Sequence, residues 1–116
     1  MAILIIENDN KSAELIYDIF INEIRDIMFA NDGIQALIAF RKYELSTILI
    51  DLEISCIDSI ELIKIVKEEN PNIKIIAFAS KYEQKIIEKL ELLSINAFIK
   101  KDELTTKLLS TYKLLQ

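Results

Sequence analysis

The stretch Thr47-Ile48-Leu49-Ile50-Asp51 constrains this chain more than any other. Three large apolar residues in succession, with nothing polar alternating between them, suit a strand covered on both faces. A carboxylate directly after such a run leaves the dry interior at the strand's end. There it either caps the turn that follows or presents a reactive oxygen at the edge of a sheet. Four more segments read as strands: Ala2–Ile6, Asp26–Ala30, Ile73–Phe78 and the short Ala97–Ile99.

Between the strands, apolar residues recur at helical spacing. Helix one runs from Ser12 to about Asn22, with Ala13, Ile16, Ile19 and Phe20 inward. Helix two runs from about Ile34 to Tyr43, with Leu37, Ile38 and Phe40 inward. Helix three starts at Asp58 or Ser59, either able to cap it, and stops near Asn70 because Pro71 disfavours a helical predecessor. Helix four spans about Glu83 to Leu93, with Ile86, Leu90 and Leu93 on one side. Helix five follows Asp102, read as its cap, with Leu104, Leu108, Tyr112 and Leu115 as its stripe. Gly33, the only glycine, closes the turn Asn31-Asp32-Gly33, where it can take a positive φ without penalty.

Strands alternating with helices predict an α/β fold: a doubly wound five-stranded parallel sheet, with helices on both faces, in the flavodoxin-like order 2-1-3-4-5. One domain over residues 1–116 is expected at this length. In that order all strand ends meet at one edge, where such folds bind ligands. Glu7 and Asn8 fall beside Asp51, and Ala79, Ser80, Lys100 and Lys101 lie across the crevice.

Composition removes several chemistries. The chain has no histidine and one cysteine, Cys56, so His-based nucleophiles, a Cys/His metal site and an internal disulfide are excluded. A net charge of −5 without a Lys/Arg cluster argues against direct contact with nucleic acid or anionic lipid. No apolar run approaches the ~18–20 residues that span a bilayer, and the N-terminus lacks the pattern of a signal peptide. A cytoplasmic protein is expected. One glycine cannot supply a G-x-G-x-x-G or Walker loop, and the acidic Glu7-Asn8-Asp9 would repel a bare phosphate.

What remains is carboxylates facing a lysine. Like charges as close as Glu7 and Asp51 raise each other's pKa unless a cation intervenes. Mg²⁺ suits one or two carboxylates, waters and a phosphoryl group, and Lys101 suits a phosphate oxygen. The set points to phosphoryl transfer onto a carboxylate. A plainer reading has Asp51 capping a turn and the lysines solvated.

Six segments, in order and at the right spacing, resemble the receiver domains of response regulators. They are Ile3-Leu4-Ile5-Ile6-Glu7-Asn8-Asp9, Ala30-Asn31-Asp32-Gly33-Ile34-Gln35-Ala36-Leu37, Ile48-Leu49-Ile50-Asp51, Ile57-Asp58-Ser59-Ile60-Glu61-Leu62, Asn70-Pro71-Asn72-Ile73-Lys74-Ile75-Ile76 and Phe98-Ile99-Lys100-Lys101-Asp102. The likeness runs from Ile3 to Leu115. It implies a signalling domain of a two-component or phosphorelay system rather than a turnover enzyme. Asp51 is then the phosphoacceptor, and Lys101 contacts the phosphoryl group. Mg²⁺ is held by Glu7, Asn8, Asp51 and the backbone carbonyl of Glu53. A histidine kinase or phosphotransfer protein is the implied partner, with homodimer contacts through helix four, strand five and helix five. The resemblance consumes the whole chain and leaves no room in it for an effector domain.

The departures are as informative. Asn8 stands where the family has a second acid, and Asp9 replaces it only if strand one ends a residue late. Ala79 stands where the family has the Thr or Ser that bonds the phosphoryl group, while Phe98 fits the switch aromatic of strand five. Ser80 supplies a hydroxyl only if the loop is re-threaded. Ser55 and Cys56 replace a Pro-Gly pair, and Ser59 and Ser94 replace glycines. These changes open an alternative: a pseudo-receiver, an interaction module not regulated by phosphorylation.

Overall fold

In the computed structural model, which describes residues 2–24 and 26–116, the apolar runs form five strands. These are β1 (Ala2–Ile6), β2 (Ile27–Ala30), β3 (Leu45–Asp51), β4 (Lys74–Ala79) and β5 (Ala97–Lys100). They pair in parallel in the order β2-β1-β3-β4-β5. Five helices connect and cover them: α1 (Asn10–Phe20), α2 (Gly33–Lys42), α3 (Ser59–Glu69), α4 (Gln84–Leu92) and α5 (Leu104–Leu114). The expected fold class and strand order are those found.

The central strands β1, β3 and β4 are apolar with little alternation because both of their faces are dry. Ile3, Ile5, Leu49, Ile76 and Phe78 point to one face, where they pack with Ile16 and Phe20 of α1 and Leu104 and Leu108 of α5. Leu4, Ile6, Ile48, Ile50 and Ile75 point to the other, against Ala36, Leu62, Ile63, Val66, Ile87 and Leu90. The register Ile6↔Ile50, Asp51↔Phe78 and Ala79↔Lys100 brings the ends of β1, β3, β4 and β5 to one level. That level is the site.

Several local expectations are corrected. Ile38 does not face the core but is 60% exposed, and the small residues Gly33 and Ala36 are the buried ones of α2. Leu37 and Phe40 pack against the core beside Ala36, while Ile34 and Ile38 lie on the outer side of the helix. Asp102 does not cap α5: a 3₁₀ turn, Lys101–Glu103, intervenes, and Glu103 holds the cap position without a side-chain bond. Asp58 rather than Ser59 caps α3, accepting from the Glu61 N–H at 3.1 Å. Ser59 is buried and donates to the Leu52 carbonyl at 2.9 Å.

Gly33 does not use a positive φ. Its lack of a side chain serves close approach instead: a Cβ there would lie 2.7 Å from the Cβ of Ile57. Among the described residues the left-handed positions belong to Cys56 (φ 75°) and Ser94 (φ 58°), two of the sites where glycine was missed in the sequence.

Candidate functional site

Glu7 is the first residue past β1 and Asp51 the last of β3, and both are buried, at 2% and 1% exposure. The strands that carry them are neighbours, so topology alone puts two carboxylates together. Lys101 opens the 3₁₀ turn after β5 and reaches across the sheet edge. Its Nζ lies 2.7 Å from Asp51 Oδ2 and 3.5 Å from Glu7 Oε2. The other oxygens are held by main chain. Asp51 Oδ1 accepts from the Glu53 N–H at 2.9 Å, and Glu7 Oε1 accepts from the Asp9 N–H at 3.0 Å.

Two buried carboxylates share one ammonium, and the balance is incomplete. Burial, then the neighbouring Asp51 carboxylate, push the Glu7 pKa up from 4.5 to about 7, against the Asp9 N–H and Lys101. Burial opposes the charge on Lys101, but its contacts with Asp51 and Glu7 outweigh this and hold its pKa above the ordinary lysine value. Glu7 Oε2 has no hydrogen-bond partner among the described residues. A buried acceptor left this way is costly unless a proton or a cation satisfies it.

The other expected residues divide. Asn8, directly after Glu7, is exposed at the mouth of the site. Asp9 does not take its place. Its Oδ2 accepts from Ser12 N–H at 3.0 Å and from Ser12 Oγ at 2.8 Å, capping α1. Those bonds hold its pKa below the ordinary aspartate value. Ala79 ends β4, buried, and offers no hydroxyl. Ser80 follows it and is exposed. Lys100 lies 4.0 Å from Asp102 rather than at the carboxylates. Phe98 is half-buried, its ring 6.0 Å from that of Tyr82 in an edge-on arrangement.

One contact was not foreseen. Glu53 Oε1 accepts from the Ser80 N–H at 3.2 Å, tying the loop after β3 to the loop after β4. An acidic residue two positions past Asp51 was visible in the sequence, but nothing there indicated which loop its side chain would meet.

The donor set suits a lightly held hard cation. Mg²⁺ keeps several waters and commonly takes one or two carboxylates. Glu7 and Asp51 supply two, one of them with an unsatisfied oxygen. Among the described residues no group of three or more Asp, Glu or Cys side chains gathers to hold a metal ion. The residues therefore fit Mg²⁺ with fewer charges than a three-carboxylate site would offer. Chemically, the arrangement presents a carboxylate oxygen beside a cation, the setting for attack on a phosphoryl group.

Comparisons with known proteins agree on family and fold. A family model described as "Response regulator receiver domain" matches residues 3–113. A response regulator receiver domain protein (CheY-like) from Methanospirillum hungatei JF-1 superposes with a TM-score of 0.90 at 18% identity, over 97% of this chain and 90% of that one. Vibrio cholerae chemotaxis protein CheY4 gives a TM-score of 0.90 at 16% identity, over 100% and 99% of the two chains. A two-component response regulator from Legionella pneumophila gives 0.87 at 23% identity, over 100% and 98%. At these identities the structural likenesses show the fold alone. No curated protein matches the chain.

Proposed function

Because this chain belongs to the response-regulator receiver domain family, we propose that Asp51 accepts a phosphoryl group from a partner histidine kinase or phosphotransfer protein. In that step the P–N bond of the donor phosphohistidine breaks and a P–O bond forms to a carboxylate oxygen of Asp51. The observation that carries the reading is the buried Glu7–Asp51 pair with Lys101 Nζ at 2.7 Å from Asp51 Oδ2. Burial keeps water from solvating the nucleophile, and Lys101 supplies a point charge for a phosphoryl oxygen.

Glu7, Asp51 and the backbone carbonyl of Glu53 would hold Mg²⁺, which when bound offsets charge on the phosphoryl oxygens. Asn8 adds a neutral oxygen at most, so the site binds the metal weakly. The Glu53 N–H holds Asp51 Oδ1 and fixes the carboxylate plane. We assign the chain a signalling role in the cytoplasm rather than turnover chemistry.

A second reading, a pseudo-receiver, draws on one observation. Ala79 is buried at the end of β4 and leaves the phosphoryl group without the hydroxyl that would couple it to the next loop. Beryllofluoride with Mg²⁺ separates the two. In ¹⁵N-labelled protein the amides of Asp51, Glu53 and Lys101 shift if Asp51 takes the phosphoryl analogue. Unchanged spectra at saturating beryllofluoride would leave the pseudo-receiver standing.

A further inference from the structure

The loop from β4 to α4, residues 80–83, is held by very little. Its residues are all exposed, and Glu83 takes the cap position of α4 without a side-chain bond. A hydrogen bond and an aromatic contact restrain it. Glu53 Oε1 accepts from the Ser80 N–H at 3.2 Å, the one side-chain hydrogen bond made to this loop among the described residues. Two residues on, the Tyr82 ring meets Phe98 of β5 edge-on at 6.0 Å. The loop that carries Glu53 is, by contrast, anchored on both sides of it. The Leu52 N–H donates to the Phe78 carbonyl at 2.9 Å, and the Gly33 N–H donates to the Ser55 carbonyl at 3.0 Å. The buried Ser59 hydroxyl donates to the Leu52 carbonyl at 2.9 Å. A carboxylate on a fixed loop therefore grips an amide on a loose one.

We propose that the Glu53 carboxylate is a latch, pinning the β4–α4 loop at Ser80 and keeping Tyr82 against Phe98 whether or not Asp51 is modified. The anchors at Phe78, Ser59 and Gly33 do not involve the Asp51 side chain, so the latch survives a change there. Nothing at the end of β4 pulls the other way, because Ala79 has no hydroxyl to draw the loop toward Asp51. Cutting the latch leaves the Ser80 N–H without an acceptor, two residues past Phe78, the register partner of Asp51. A phosphoryl group on Asp51 then becomes a partner for that N–H, and the loop follows it. This response to modification rests on the phosphoacceptor reading of Asp51, whereas the pinning of the unmodified loop does not.

Amide exchange with solvent and ¹⁵N spectra of the whole chain, with and without beryllofluoride and Mg²⁺, test this. In unmodified protein E53A speeds exchange at Ser80 roughly tenfold, the worth of one hydrogen bond to a charged group, and shifts the Tyr82 and Phe98 ring resonances. E53Q removes the charge but keeps an acceptor oxygen, so most of the protection remains. E83Q removes a charge from the same crevice and leaves Ser80 as in wild type. With beryllofluoride, shifts at Asp51 and Lys101 report occupancy in each variant. Where they appear, Ser80 and Tyr82 keep their positions in wild type and move in E53A. Exchange at Ser80 that E53A leaves unchanged, or that E53Q and E83Q speed as much as E53A does, overturns the latch. So does a wild-type loop that moves with beryllofluoride as far as that of E53A. Absence of shifts at Asp51 and Lys101 in every variant counts against the phosphoacceptor reading, and the unmodified exchange rates then decide the latch by themselves.

Discussion

Glu7 is the residue whose energetics reach furthest beyond its own contacts. Between the ordinary carboxylate value of 4.5 and about 7, the folded chain keeps a proton on Glu7 that the unfolded chain releases. The native state therefore binds more protons in that window, and stability falls as pH rises through it, by up to about 3 kcal/mol. The raised pKa of Lys101 acts above pH 10.5, outside the window: stability it contributes is present below that value and lost as pH climbs past it. Chemical denaturation of metal-free protein at pH 4.5 and pH 7.5 should show the decline, and Glu7→Gln should flatten it. Mg²⁺ competes with the proton on Glu7, so added Mg²⁺ should raise the melting temperature more at pH 7.5 than at pH 5. Asn8→Asp should strengthen that response, tightening Mg²⁺ binding roughly tenfold through one more ligand charge. Thermal shift against Mg²⁺ concentration reads both effects, and equal responses in wild type and Asn8→Asp would remove Asn8 from the site.

At the scale of elements, the loops rather than the strands carry the strain. Ser94, just after α4, has φ 58° and Cys56, within the β3–α3 loop, has φ 75°, a region that disfavours any residue with a Cβ. Ser94→Gly should stabilise the fold by about 0.5–1 kcal/mol, measured by urea denaturation. Gly33→Ala should do the reverse by about 1–3 kcal/mol, because the new Cβ meets Ile57 at 2.7 Å. The contrast shows why local glycine chemistry was hard to read. The sequence pattern marked Gly33 as a turn residue, but its need is set by Ile57, twenty-odd positions away. The five strands were legible because each is apolar on both faces, and α1 and α5 because Ile16, Phe20, Leu104 and Leu108 follow the helical period. Ile38 was misplaced because period alone cannot distinguish a buried apolar stripe from one turned outward to solvent.

For the molecule as a whole, the carboxylate edge was legible from topology: neighbouring strands had to put Glu7 beside Asp51, and Lys101 reaches both. The loop contacts were not, since Asp9 turns to cap α1 and Glu53 to bind the Ser80 amide through local geometry. How far a change at Asp51 travels depends on β4 and β5. With Ala79 in place, beryllofluoride should shift amides near Asp51 and leave Tyr82 and Phe98 close to their starting positions. Ala79→Thr should carry the shifts to that aromatic pair, whose rings stand 6.0 Å apart.

The central claim is that Asp51 is a phosphoacceptor. Intact-mass spectrometry after incubation with acetyl phosphate and Mg²⁺ tests it most directly. The wild type should gain the mass of one phosphoryl group, lose it on hydroxylamine treatment, and gain nothing when Mg²⁺ is chelated or when Asp51→Asn is used. An unmodified wild type, or equal labelling of Asp51→Asn, would contradict the account.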